Sequence, residues 1–176
     1  MEQVSRRIFL NSAWVAANLS AIAAAQQHAH EASLPLVPPR FEFFTADQAK
    51  DVDAMAELII PADKTGGAHE AHVVYFIDRA LMTFEADKKH RYNKTLEQLR
   101  AKYGKFFWQL SAAEQAAALS VLEKDPFFEI LRTHTVMGYF THPQYGGNFN
   151  LAGWKTIGFE DKFFFTPPFG YYDAEK

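Results

Sequence analysis

Apolar residues recur at intervals of three and four through most of the stretch between residues 46 and 140, and that spacing predicts a succession of helices. Thr45-Ala46-Asp47-Gln48 is a capping box, in which the Thr hydroxyl accepts from the third helical N–H and the Gln reaches back. It predicts a helix from Ala46 to Ile60, with Val52, Met55, Ala56 and Ile59 on one face and Pro61 as its stop. Asp63 to Gly67 then reads as a turn. A second helix is predicted from Ala68 to Phe84, carrying Val73, Val74, Phe76, Ile77, Ala80 and Leu81, and a third from Asp87 to Tyr103, stopped by Gly104. Ser111-Ala112-Ala113-Glu114 is another capping box, for a short helix reaching Glu123. Asp125 and Pro126 supply an N-cap and a first-turn proline for a fifth helix, Phe127 to Phe140, in which Phe127 and Phe128 are read as core. Strand-like alternation is hard to find before residue 141, so the fold expected is mainly α, a small irregular bundle of about five helices. After Phe140 the periodicity stops, and a long irregular, aromatic-rich C-terminal segment follows.

The chain opens differently. Two arginines precede an Ala-rich, mildly apolar run from Ile8 to Ala25, the layout of an export signal. Ser5, Arg6, Arg7, Phe9 and Leu10 resemble the twin-arginine motif, with Asn11 where that motif often has Lys. Ala23-Ala24-Ala25 offers a cleavage site. Residues 1–25 are thus expected to be a signal peptide, 26–40 a Pro-rich linker, 41–160 the helical domain and 161–176 an aromatic tail.

Composition removes several classes of function. There are no cysteines, which excludes disulfides, thiolate metal sites, CxxCH haem attachment and cysteine nucleophiles. The net charge is −3 and no basic stripe stands out, so nucleic-acid binding has no electrostatic basis. Glycine-rich nucleotide loops and the Gly-x-Ser-x-Gly elbow are absent. Hydrophobic residues make up 48% and the chain holds 17 Phe, more apolar surface than one small core needs, which points to a partner surface.

Histidines are the remaining candidates for chemistry. His69 and His72 lie three apart with Glu70 between them, a spacing compatible with a metal pair, but no third ligand is identifiable. His28 and His30 sit in the expected linker. His134 and His142 are separated by eight residues, and Pro143 opposes a helix continuing between them; each is read as a core or interface histidine bonding a backbone carbonyl. Glu160 and Asp161, being adjacent, do not point together. No catalytic residue, metal ligand or cofactor contact is assigned to this chain.

Three stretches carry a resemblance: Ala56 to Asp63 with Gly67-Ala68, Val73 to Asp78 (VVYFID), and Thr141 to Asn148 (THPQYGGN) with Gly153 to Phe159. Together they resemble the gluconate 2-dehydrogenase subunit 3 family, small subunits of exported flavin-dependent sugar and polyol dehydrogenases. Phe149 and Leu151 differ from the small or polar residues typical of that loop. The resemblance implies a non-catalytic periplasmic subunit paired with a large subunit that holds FAD, with electrons passing to a membrane-bound cytochrome c subunit or another acceptor. It also implies that the small subunit supplies the signal read by the twin-arginine translocase and assists folding and assembly of its partner. The candidate partner contacts are His142, Tyr145, Asn148 and Trp154 in the loop, with Phe163, Phe164, Phe165, Phe169, Tyr171 and Tyr172 in the tail. Two other readings stand beside it: a free-standing exported metal protein or enzyme using His69, His72, His134 and His142, and a module for an unrelated periplasmic protein.

Overall fold

The computed structural model describes residues 40–162. The twin-arginine segment with Ser5, Arg6, Arg7, Phe9 and Leu10, the linker to residue 39, and the aromatic residues from Phe163 to Tyr172 lie outside the described residues.

Six helices make up the regular structure of the described residues: α1 (Ala46–Ile59), α2 (Val73–Met82), α3 (Lys89–Tyr103), α4 (Ala112–Leu122), α5 (Pro126–Phe140) and α6 (Ala152–Thr156). The polar caps act as expected. Thr45 and Gln48 close a capping box on α1, as do Ser111 and Glu114 on α4, and the Asp125 carboxylate accepts the Phe127 N–H. Gly104, at φ 71°, ends α3.

Helices α2 and α5 pack together at the centre, with α1 against both. The core runs through Val52 and Met55 of α1, Val73, Ile77 and Leu81 of α2, and Phe127 and Leu131 of α5, all with no exposed surface. Tyr92 of α3 and Phe107 of the following single turn complete it. Phe127 is core as expected, and Phe128 is half-buried against that core.

The second helix begins at Val73 rather than Ala68. Carboxylates reorganise the segment before it. Glu57 accepts from the backbone N–H of Ala62 at 2.7 Å and of His69 at 2.9 Å, and Glu70 accepts from Gly67 at 2.8 Å. These bonds hold residues 62–71 as a wrapped turn. His72 then reverses the chain with φ 56°, a left-handed conformation that interrupts any helix passing through it.

Ahead of α1, the segment Phe41 to Phe44 is fastened by one buried side chain. The Asp78 carboxylate of α2 accepts three consecutive backbone N–H groups, from Glu42 at 2.7 Å, Phe43 at 3.1 Å and Phe44 at 2.9 Å. Phe44 is buried, and the Phe41 ring stacks on Tyr75 with centroids 4.5 Å apart.

Candidate functional site

The stretch after α5 is built as a compact loop seated on that helix. His142 to Tyr145 forms one turn, in which the His142 Nδ1 accepts the Gln144 N–H at 3.3 Å. Gly146 turns the chain with φ 103°. Gly147 has a different reason to be glycine, because a Cβ there would be driven into the Gly138 carbonyl of α5. Arg79 of α2 ties the loop from the other side, donating to the Gln144 carbonyl at 3.0 Å.

Asn148 is the loop's internal clasp. It has no exposed surface; its amide N–H donates to the Thr141 carbonyl at 2.8 Å, and its Oδ1 accepts the Gly153 N–H at 2.8 Å. The loop therefore closes on itself from Thr141 to Gly153. Trp154 is also buried, its indole N–H donating to the Phe140 carbonyl at 2.9 Å and its ring meeting His142 and Phe159 edge to face. Of the four loop residues named as candidate contacts, Asn148 and Trp154 thus point inward and act as supports. Tyr145 is 55% exposed, and His142 is half-buried.

Sequence periodicity did not anticipate α6, which has only five residues and starts from Leu151 without a side-chain cap. Three left-handed residues, Asn148, Asn150 and Leu151, steer the chain into it. Asparagine tolerates that region, but for leucine it costs roughly 1–2 kcal/mol. Phe149, between them, stacks on His72 at 4.3 Å and donates its N–H to the Ala71 carbonyl at 2.9 Å. Two left-handed bends are thereby locked against each other.

A groove of about 840 Å3 opens beside this loop, between α2 and the end of α5. Phe76, Met82, Phe84, Met137, Phe140 and Tyr145 line it, with Arg79 and Glu42 as its charged groups. Phe84 is 62% exposed, and Met82, Met137 and Phe140 each show more than a third of their surface. Large apolar side chains are thus concentrated on one face of the domain.

The histidines are dispersed in role. His69 Nδ1 meets Asp53 Oδ2 at 2.5 Å on the surface, and that hydrogen bond holds its imidazole above the ordinary value. His72 belongs to the Phe149 stack, and burial pushes its imidazole down. His134 is buried and bonds the Tyr92 hydroxyl at 3.0 Å through Nδ1, with Glu85 Oε2 at 3.7 Å from Nε2. The expected backbone-carbonyl partners are therefore replaced by a phenol for His134 and a backbone N–H for His142. Burial lowers the His134 imidazole and raises the Tyr92 phenol, so the pair is neutral. Among the described residues no group of three or more His, Asp or Glu side chains converges in a way that would hold a metal ion.

Asp78, Glu57 and Glu70 are organising residues that a search for catalytic patterns passes over. Their only signal in the sequence is a carboxylate within or beside the stretches VVYFID and AELIIPAD. No described helix is long and apolar enough to cross a membrane.

No curated protein and no solved structure matches the chain. The family model for gluconate 2-dehydrogenase subunit 3 matches residues 46–161, from the start of α1 to just beyond the Trp154–Phe159 contact. That span takes in the whole helical core, the Asp78 anchor and the clasped loop, and the chain belongs to the gluconate 2-dehydrogenase subunit 3 family.

Proposed function

We propose that this chain is the non-catalytic small subunit of an exported, FAD-dependent dehydrogenase acting on a sugar or polyol. The flavin and the oxidation of substrate belong to a large partner subunit. The small subunit carries the twin-arginine signal, keeps its partner foldable and export-competent, and remains with it in the periplasm. A cytochrome c subunit at the membrane is the electron acceptor in this reading.

One observation supports the pairing most strongly: the open apolar groove bordered by Phe84, Met137, Phe140 and Tyr145, on a chain whose family is that of a dehydrogenase subunit. Tyr145 joins the groove to the Thr141–Phe159 loop, so the surface offered to a partner is continuous with the most distinctive stretch of the sequence. The loop is preorganised by Asn148 and Trp154, which lowers the ordering cost of binding. Phe163, Phe164, Phe165, Phe169, Tyr171 and Tyr172 are further candidate contacts, by composition alone.

Replacing Arg6-Arg7 by Lys-Lys tests the carrier role. Both chains are expected to remain in the cytoplasm; normal periplasmic activity of the large subunit after this change removes the role.

A further inference from the structure

We propose that, in the free subunit, the groove between α2 and α5 is occupied by the chain's own segment from Phe163 to Tyr172. Three observations meet here, and none depends on the identity of the partner.

The first is where the described chain leads. Phe159 packs on Trp154 with centroids 5.0 Å apart and donates its N–H to the Trp154 carbonyl, while Trp154 is bonded to Phe140. Phe140 is itself a wall of the groove. The described chain thus ends at Lys162, three residues past a contact that ties Phe159 through Trp154 to the end of α5 bordering the groove.

The second is length. Ten residues in a polyproline-like path span roughly 31 Å, whereas α2, of 10 residues, is only about 15 Å long. The segment is long enough to run the whole groove.

The third is chemistry. The segment places four Phe and two Tyr around Pro167-Pro168, an apolar strip whose prolines favour the extended form that binds aromatic-lined grooves with little entropy loss. The groove offers Phe76, Phe84 and Tyr145 to those rings, together with the adaptable Met82 and Met137. Arg79 stands in the groove wall with no carboxylate partner among the described residues, and Asp173 follows directly on Tyr172. The acid supplies the charge that the arginine lacks.

Covering the groove in this way hides an adhesive surface until pairing. A partner that takes the groove must first displace the segment, so assembly is an exchange of one apolar occupant for another.

The chain has no cysteines, which allows a direct test in the full chain. Met137→Cys with Phe169→Cys is expected to form an intramolecular disulfide under mild oxidation, while Val121→Cys on α4 with Phe169→Cys does not. In a second full-length variant, Phe163, Phe164, Phe165 and Phe169 are changed to Ser; binding of a hydrophobic dye is expected to rise, and adding Met137→Asp to abolish the increase. Equal crosslinking of the two cysteine pairs, or unchanged dye binding in the serine variant, overturns the proposal. So does a dimer in solution that Met137→Asp converts to monomer, because a second copy then fills the groove. Dye binding by the unaltered chain that disappears only on adding the large subunit overturns it as well.

Discussion

The buried carboxylate of Asp78 accepts the backbone N–H of Phe44 at 2.9 Å across thirty-four positions of sequence, and the same carboxylate holds the two preceding N–H groups. One side chain of α2 thus fixes the path by which the chain enters the bundle. The bonds are charge-assisted, and among the described residues Asp78 is the acceptor of the buried Phe44 N–H. Asp78→Ala is expected to cost about 3 kcal/mol, a fall of roughly 10 °C in Tm for a domain of this size. Asp78→Asn keeps the shape but turns a donor toward N–H groups, so it too is expected to destabilise. Thermal unfolding of both variants checks this, and a Tm within about 2 °C of the unaltered chain would contradict the anchoring role.

Asn148 holds the loop after α5 in the same sense. Asn148→Ala strands the buried Gly153 N–H and places alanine at φ 50°, and is expected to cost about 2–3 kcal/mol in chemical denaturation. Asn148→Asp replaces the donor to the Thr141 carbonyl with an acceptor and is expected to be no milder. Because the clasp shapes the surface around Tyr145, both variants are also expected to weaken the proposed pairing with a large flavoprotein subunit.

Leu151 tests the left-handed bend from the opposite direction. At φ 59°, Leu151→Gly removes the steric cost of a Cβ in that region, so it is expected to be more stable than Leu151→Ala by about 0.5–1 kcal/mol, both variants giving up the same half-buried side chain. Leu151→Ala keeps that cost and gives up the half-buried side chain, so its Tm is expected to fall. Equal stability of the glycine and alanine variants would show that packing, not backbone conformation, governs this position.

His134 gives the stability a pH dependence of definite sign. Burial keeps its imidazole below the ordinary value, against the opposing pull of Glu85 and Asp87 and with the help of Lys88. An unfolded chain takes up that proton near pH 6.5, while the folded chain resists it, so the unfolded state binds more protons below that pH. Stability from this site is complete above the unfolded value and is lost as the pH falls toward the folded one. His69, raised by Asp53, works in the opposite sense: its contribution is complete at low pH and fades as the pH rises through its folded value. His134→Gln keeps an acceptor for the Tyr92 hydroxyl and removes the titration. Between about pH 7 and 5.5 this variant is expected to lose less unfolding free energy than the unaltered chain. Equal losses would place the acid sensitivity elsewhere.

What the sequence discloses of this fold follows the range of the forces involved. Helices α1, α4 and α5 begin at Thr45, Ser111 and Asp125, where a cap and its recipient N–H lie within three residues and can be read directly. The start of α2 is not legible because the apolar spacing runs on through Ala68 and Ala71, whereas the turn ahead of His72 is held by Glu57 from another helix. Helix α6 is too short for periodicity, and its cue is an asparagine bonding a glycine five residues on. The loop after Phe140 was legible as distinctive but not in its inward and outward faces. His142 and Tyr145 remain at least partly accessible, while Asn148 and Trp154 are supports, and only the three-dimensional path separates the two pairs. The groove likewise joins Phe84 to Met137, which no local pattern connects.

Recovery of the tagged full chain at native expression reads out the proposed pairing with a large flavoprotein. A stoichiometric large subunit carrying FAD, with dehydrogenase activity toward a sugar or polyol, is the predicted result. A stable small subunit that is recovered alone, while the cell's flavin-dependent dehydrogenases stay active and exported without it, would rule the pairing out.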